Sequence, residues 1–248
     1  MQADLALIVP AAGRGSRFAR HGIAEPKPLV DLDGRPFFWW ATESVRRVVP
    51  LRQIVFVVLQ EHIDQFAIDR RIHAHYPAAT IVALPDVTGG AAETAAIGLE
   101  AIGSPGPVAV NDCDHAFMAS SLPDTVRSLQ DGLDAALMCF RSDSAAYSYV
   151  RFGAANEVIG TVEKQVASPF AIAGCYLFSD PARISALYER YQRDCPYDEL
   201  FMSGLFNLLA QERARIGMVE LDRHCSFGTP EELGAITPAK FAGFAAWK

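Results

Sequence analysis

The 248-residue chain lacks several features that would settle its class early. No stretch approaches the roughly 18 consecutive apolar residues of a membrane span, so no transmembrane helix is expected. The opening MQADLALIVP has neither the basic start nor the cleavage pattern of a secretory signal, and the expected location is cytoplasmic. There is no long basic run, and the formal net charge is −7. That balance argues against nucleic acid or an anionic membrane as the main partner. The five cysteines, Cys113, Cys139, Cys175, Cys195 and Cys225, are odd in number and form no CxxC. Reduced, mostly buried thiols are the expectation. Internal repeats, low-complexity tracts and a clear linker are also missing, which leaves one domain over residues 1–248.

What is present is an alternation. Apolar runs of strand length recur at 5–10, 54–59, 80–84, 107–112 and 135–140, several of them continuous, as in strands covered on both faces. Helix-like segments at 36–48, 91–102 and 121–133 lie between them. Strand–helix alternation predicts an α/β fold with a mixed, mainly parallel sheet flanked by helices. After residue 140 three strand-like runs crowd into 147–178 with short polar links, which predicts a small antiparallel extension. Segments 181–194 and 201–213 read as helices.

The most distinctive stretch follows the first run: PAAGRGSRFARHGIAEPKPL, residues 10–29. It sits at the carboxyl end of a predicted parallel strand, where open α/β sheets bind ligands. Glycines let backbone approach a ligand, and successive N–H groups can form an anion nest. Arg14, Arg17 and Lys27 add positive charge, and the sum suits a polyphosphate. No cysteine and no HExxH accompanies it. Two familiar phosphate loops are excluded. Gly15 does not begin the Lys-Ser/Thr ending of a P-loop, and Phe18 stands where the dinucleotide fingerprint needs a third glycine. Taken alone, the loop also reads as a tight turn with surface arginines.

The motif AAGRGSRF…EPKPLVDLDGRP resembles the opening signature of the nucleotidyltransferase superfamily, nearest to the bacterial sugar-phosphate nucleotidyltransferases of polysaccharide biosynthesis. TGGAAETA (88–95), VNDCDHAF (110–117), VEKQ (162–165), AIAGCYLF (171–178), DELFMSGLFNLL (198–209) and FGTPEEL (227–233) follow in the family's order. The resemblance implies a GT-A, Rossmann-like fold, with residues 1–140 mainly nucleotide-binding and 141–248 mainly acceptor-binding. It implies NMP transfer from an NTP to a phosphorylated sugar or small phosphorylated alcohol, with Mg²⁺ and release of pyrophosphate. A phosphate monoester is already largely a dianion at pH 7, its second pKa being about 6. The substrate therefore brings its own nucleophile, and the protein's task is alignment and charge neutralisation.

The resemblance also assigns residues. Ala12, Gly13, Arg14 and Gly15 would present backbone to the nucleotide. Arg17 would fork β- and γ-phosphate oxygens, and Lys27 would neutralise charge near the α-phosphate. Gly89 and Gly90 would carry the base; Glu93 either caps that helix start or touches ligand. Lys164 would meet the acceptor phosphate and Glu163 its hydroxyls or amine. Gly174 would leave the acceptor room, and Glu199 would add a further contact. Asp114 would be the primary Mg²⁺ ligand. Asp112, two residues earlier on the strand end, is the candidate second carboxylate, because Ser226 stands where many relatives have an aspartate. Asp222 is the rival. His115 reads as a polar turn residue, Tyr147 and Tyr149 as strand packing, and His73 with His75 as a solvated helix face. Two other functions stay open: a GT-A glycosyltransferase, since Asp112-Cys113-Asp114 is literally DxD, and a non-catalytic nucleotide-binding regulator. The acceptor, the base and the oligomeric state are not named by the sequence.

Overall fold

A computed structural model describes residues 4–248. The first half runs β1 (Leu5–Ala11), α1 (Ser16–Arg20), β2 (Asp31–Leu32), β3 (Arg35–Pro36), α2 (Phe37–Arg46), β4 (Leu51–Leu59), α3 (Gln60–Phe66), α4 (Ile68–His75), β5 (Thr80–Leu84), α5 (Ala91–Leu99), β6 (Val108–Asn111), β7 (His115–Met118) and α6 (Leu122–Gln130). The second runs β8 (Ala135–Arg141), β9 (Tyr149–Phe152), β10 (Val158–Val162), β11 (Phe170–Phe178), α7 (Pro181–Asp194), α8 (Gly204–Gln211), β12 (Ile216–Glu220), β13 (Arg223–Ser226), α9 (Pro230–Gly234) and α10 (Pro238–Ala245).

β1 explains why the sheet is covered on both sides. Its residues are apolar at successive positions, so alternate side chains enter opposite layers. Leu5, Leu7 and Val9 pack with Phe37 and Trp40 of α2, Val126 of α6 and Phe241 of α10. Ala6 and Ile8 pack with Ala92 and Ala95 of α5, Ile184 of α7 and Phe206 of α8. Each such fully buried Leu, Ile or Phe is worth roughly 1.5–3 kcal/mol. An acid at Leu7 or Ile8 would place a charge in a layer that offers it no partner.

The strand order β5-β4-β1-β6 is parallel throughout. β11 then runs antiparallel to both β6 and β8 and also touches β9, which pairs with β10; β12 lies parallel to β8. The expected mixed sheet with an antiparallel extension is what forms. β11 is inserted beside β6, so the two expected halves, 1–140 and 141–248, share one sheet rather than meeting at a seam. The chain leaves β1 towards β4 on one side and reaches β6 on the other. The carboxyl ends of β1 and β6 are therefore the topological switch point, where a crevice opens.

The elements that sequence patterning did not single out are short or of mixed polarity: α3 and α4 on the surface, β12, and the two-stranded ladder of β7 with β13. Four of the cysteines are buried, Cys195 is partly exposed, and all five are free. Among the described residues no helix is long and apolar enough to cross a membrane.

Candidate active site

A cleft of about 480 Å³ opens at the switch point. Ala12 and Gly13 line it directly after β1, and Arg17 lines it from α1. Lys27 arrives by a different device. Pro26 and Pro28 bracket it in a single 3₁₀ turn, Lys27–Leu29, and Leu29 is fully buried, which anchors the turn to the core. Lys27 Nζ donates to Asp114 Oδ2 at 2.7 Å, with both side chains about three-quarters covered. Burial alone would lower the lysine's pKa, but Asp114 and its neighbours outweigh it, and the pKa is raised. Gly15 packs against Lys27 and does not line the cleft. The Arg14 side chain points elsewhere: Nε bonds Glu61 Oε1 at 3.1 Å and Nη2 bonds Asp86 Oδ1 at 2.9 Å. Its charge is balanced outside the cleft wall.

Asp112 and Asp114 both line the cleft, just after β6. Asp112 donates its backbone N–H to Gly174 O at 2.9 Å. Gly174 has φ 69°, and a Cβ there would fall 2.6 Å from Asp112 Oδ2. Gly174 lines the cleft, and the Asp112 carboxylate lies where its side chain would be. Burial and the nearby Asp114 push the Asp112 carboxyl up to about 7. Asp114 is buried too, yet Lys27 holds its pKa below the ordinary value. Among the described residues no group of three or more His, Cys, Asp or Glu is arranged to hold a metal ion.

Ser226 lines the cleft opposite His115 in the β7–β13 ladder, and the next residue, Phe227, donates its N–H to Asp114 O at 3.0 Å. Asp222, by contrast, accepts from Ser120 N at 2.6 Å beyond the other end of β13 and does not line the cleft.

From the start of α5, Thr88, Gly90 and Thr94 line the cleft; Gly89 does not. Glu93 caps the loop by accepting from Gly89 N at 2.6 Å. Gly90 has φ 154°, and a Cβ there would lie 2.6 Å from the backbone N and O of Leu200. Leu200 N donates to Gly89 O, and Ala92 N to Leu200 O, both at 2.9 Å. The glycine pair therefore also docks the 199–201 segment, whose Glu199 and Phe201 line the far end of the same cleft.

That far end holds Glu163 and Lys164. Glu163 Oε1 accepts from Ser148 Oγ at 2.6 Å and from Ser203 Oγ. Lys164 has φ 53°, donates its N–H to Tyr147 O at 3.1 Å, and sets Nζ 5.6 Å over the Phe201 ring. Tyr149 is fully buried, as packing would have it. Tyr147 is not packing alone: it lines the cleft and its OH donates to Glu232 Oε1 at 2.6 Å. His115 and His224 line the cleft as well. His115 is 3% exposed, not a turn residue in solvent, and burial pushes its pKa down to about 4. Burial takes His224 down to about 3, with His115 adding to the effect. Nothing in the sequence links the two histidines; they meet because RHCS pairs antiparallel with the strand that follows the DxD. His73 is exposed on α4, its Nε2 3.0 Å from Ala79 O.

The cleft contains no activated nucleophile. Cys113 is 3% exposed, and burial pushes its thiol up to about 12. Cations at one end and carboxylates at the strand ends suit alignment of phosphates.

Comparison with known proteins agrees with this geometry. The chain resembles the nucleoside-diphosphate-sugar pyrophosphorylase from Vibrio cholerae RC9, with TM-score 0.79 at 23% identity over 92% of this chain and 98% of that one. It also resembles the inositol-1-phosphate CTP transferase from T. maritima, with TM-score 0.73 at 15% identity over 94% and 92%. Those likenesses establish the fold. A 64-residue stretch is 38% identical to the 2-C-methyl-D-erythritol 4-phosphate cytidylyltransferase of Chromobacterium violaceum, covering 25% of this chain and 27% of that relative's length. Residues 7–190 match a nucleotidyltransferase family along most of the chain, and the chain belongs to it: the MobA-like NTP transferase domain family.

Proposed function

We propose that the chain transfers NMP from an NTP to a phosphomonoester and releases pyrophosphate. An oxygen of the acceptor phosphate attacks the α-phosphorus, and the bond to the β-phosphate oxygen breaks. The observation that carries the reading is the Lys27–Asp114 contact at 2.7 Å. It joins the loop after β1 to the end of β6 across the switch point, beside Arg17 and the Ala12–Gly13 backbone. Arg17 forks the outer phosphates, Lys27 offsets charge at the α-phosphate, and Lys164 meets the incoming phosphate. No general base is required, which fits a cleft whose histidines are buried and neutral and whose thiol is inert.

Asp112 and Asp114 are the residues that would hold Mg²⁺. The donor set fits, because Mg²⁺ is usually bound through one or two carboxylates with substrate phosphates and waters completing the shell. When bound, the ion supplies neutralisation of phosphate charge. Asp112 stands in for the acid missing at Ser226; Asp222 is too remote from the cleft to do so.

The test is a screen of nucleoside triphosphates against phosphomonoesters with Mg²⁺, reading pyrophosphate. Release that requires both substrates supports the reading. Tight NTP binding with no release against any phosphomonoester would leave a nucleotide-binding regulator instead.

A further inference from the structure

Three parallel strands end side by side in the order β5-β4-β1, and one side chain ties the residues just past their carboxyl ends. Arg14, after β1, donates from Nε to Glu61 Oε1 at 3.1 Å and from Nη2 to Asp86 Oδ1 at 2.9 Å. Glu61 follows β4 in the first turn of α3, next to His62, which is 4% exposed and roots that turn in the protein. Asp86 follows β5, and its Oδ1 also accepts from Val87 N at 2.7 Å. Among the described residues no other hydrogen bond or ion pair joins residues 12–15 to residues 85–90.

The tie matters because of what stands on either side of it. Ala12 and Gly13 line the cleft from the end of β1, Val87 and Thr88 line it from the end of β5, and nothing from the end of β4 does. Neighbouring strands lie about 4.8 Å apart, so the ends of β1 and β5 stand roughly 10 Å from each other. That gap admits a flat ring with a layer of protein atoms on each face. A Cβ at Gly13 would meet nothing within 4 Å, so the β1 side leaves space. Val87, on the β5 side, is apolar and yet 44% exposed. A nucleoside offers such a wall a flat, weakly polar face; a phosphate chain does not. The Arg14 side chain does not line the cleft itself and acts through the loops it ties.

We propose that Arg14 is a positioning residue for the nucleoside part of the NTP: by bridging Asp86 and Glu61 it fixes the Val87–Thr88 lip against the Ala12–Gly13 loop. The inference rests on the nucleotidyl-transfer reading of this cleft. Charge alone gives the opposite expectation for Asp86, since removing an acid beside a polyanion site tightens binding. The clasp requires that NTP binding weaken. An Asp86→Asn side chain keeps an oxygen for Val87 N, so only the ionic tie is lost.

The experiment uses the full chain with Mg²⁺ and calorimetry. Each nucleoside triphosphate is titrated first, then inorganic tripolyphosphate, which has the phosphates and no nucleoside. For the NTP that the unaltered chain binds, Arg14→Ala and Asp86→Asn should each weaken binding about threefold to tenfold, the scale of exposed ion pairs lost. Tripolyphosphate should bind Asp86→Asn as well as the unaltered chain, or better. The double variant should bind NTP no more weakly than Arg14→Ala alone, because both residues act through one tie. NTP binding by Asp86→Asn that is unchanged or tighter overturns the inference. Equal losses of NTP and tripolyphosphate affinity in Arg14→Ala also overturn it and make Arg14 a phosphate contact. A lowered melting temperature with NTP affinity intact reduces the clasp to a surface brace, against the inference. An unaltered chain that binds no NTP defeats the underlying reading instead.

Discussion

Ala12, Gly13, Arg17 and Lys27, which are proposed to meet the nucleotide, all line the cleft from the loop after β1 and its short helix and turn. The rest of the cleft lining, including His115, Tyr147, Glu163, Glu199, His224 and Glu232, comes from segments spread between β7 and α9, joined by antiparallel ladders and side-chain bridges. The first end holds its charges ready: Lys27 is already paired, and Arg17 lines the wall. The second is built from contacts already made: Tyr147 OH on Glu232, and the hydroxyls of Ser148 and Ser203 on Glu163. A local loop is suited to a ligand part that every NTP shares. An end assembled from many segments can change residue by residue, which suits the part of the proposed reaction that differs between acceptors.

Mutations at the two ends should separate accordingly. The largest effect is expected where they meet. Asp114→Asn keeps the shape, loses the charge that faces Lys27, and should cut Mg²⁺-dependent turnover by on the order of a thousandfold or more. Circular dichroism should show the fold unchanged. Full Mg²⁺-dependent activity would remove Asp114 from the reacting centre.

Arg17→Ala should act on the nucleotide end alone, weakening NTP binding by about 2–4 kcal/mol, as truncation of a charged, bidentate contact does. Calorimetric titration of NTP without acceptor reads it directly, and unchanged affinity would break the division proposed for the two ends. Lys164→Ala is the counterpart. It should lower kcat/KM for the acceptor by roughly ten- to a hundredfold while NTP affinity holds. Equal damage to both would place Lys164 with the nucleotide.

That the loop after β1 lines the cleft was legible in sequence, because its residues lie close together and their spacing is the signal. The strands 5–10, 54–59 and 80–84 were legible for the same reason: each is an unbroken apolar run that needs no distant partner to be recognised. The acceptor end was only half legible. Glu163 and Lys164 announce themselves as a pair, but His115 and His224 are far apart in sequence and meet only because β13 pairs with β7. Tyr147 alternates with Tyr149 as any strand might, and only the reach of Glu232 from α9 marks it out. Gly174 lines the cleft, and its closeness to Asp112 shows only in the folded chain. Gly89 and Ala92 bond the Leu200 backbone, and Gly90 leaves room for it, a contact that side-chain chemistry cannot reveal.

The smallest predicted effect concerns the missing acid. Asp112→Asn should raise the Mg²⁺ concentration for half-maximal rate by several-fold, on the order of the loss of one of two carboxylate ligands. Asp222→Asn, bonded to Ser120 away from the cleft, should not. Restoring part of the loss by adding Ser226→Asp would tie the effect to the ion rather than to folding. No change in Asp112→Asn would leave Asp114 as the single protein carboxylate.

The most direct test of the account follows phosphorus atoms. An NTP labelled separately at the α and γ positions is incubated with the chain, Mg²⁺ and an accepted phosphomonoester. The account predicts the α label in a nucleotide-linked product and the γ label in pyrophosphate. Transfer of the γ label to the acceptor, or turnover only when a nucleotide sugar replaces the NTP, would contradict it.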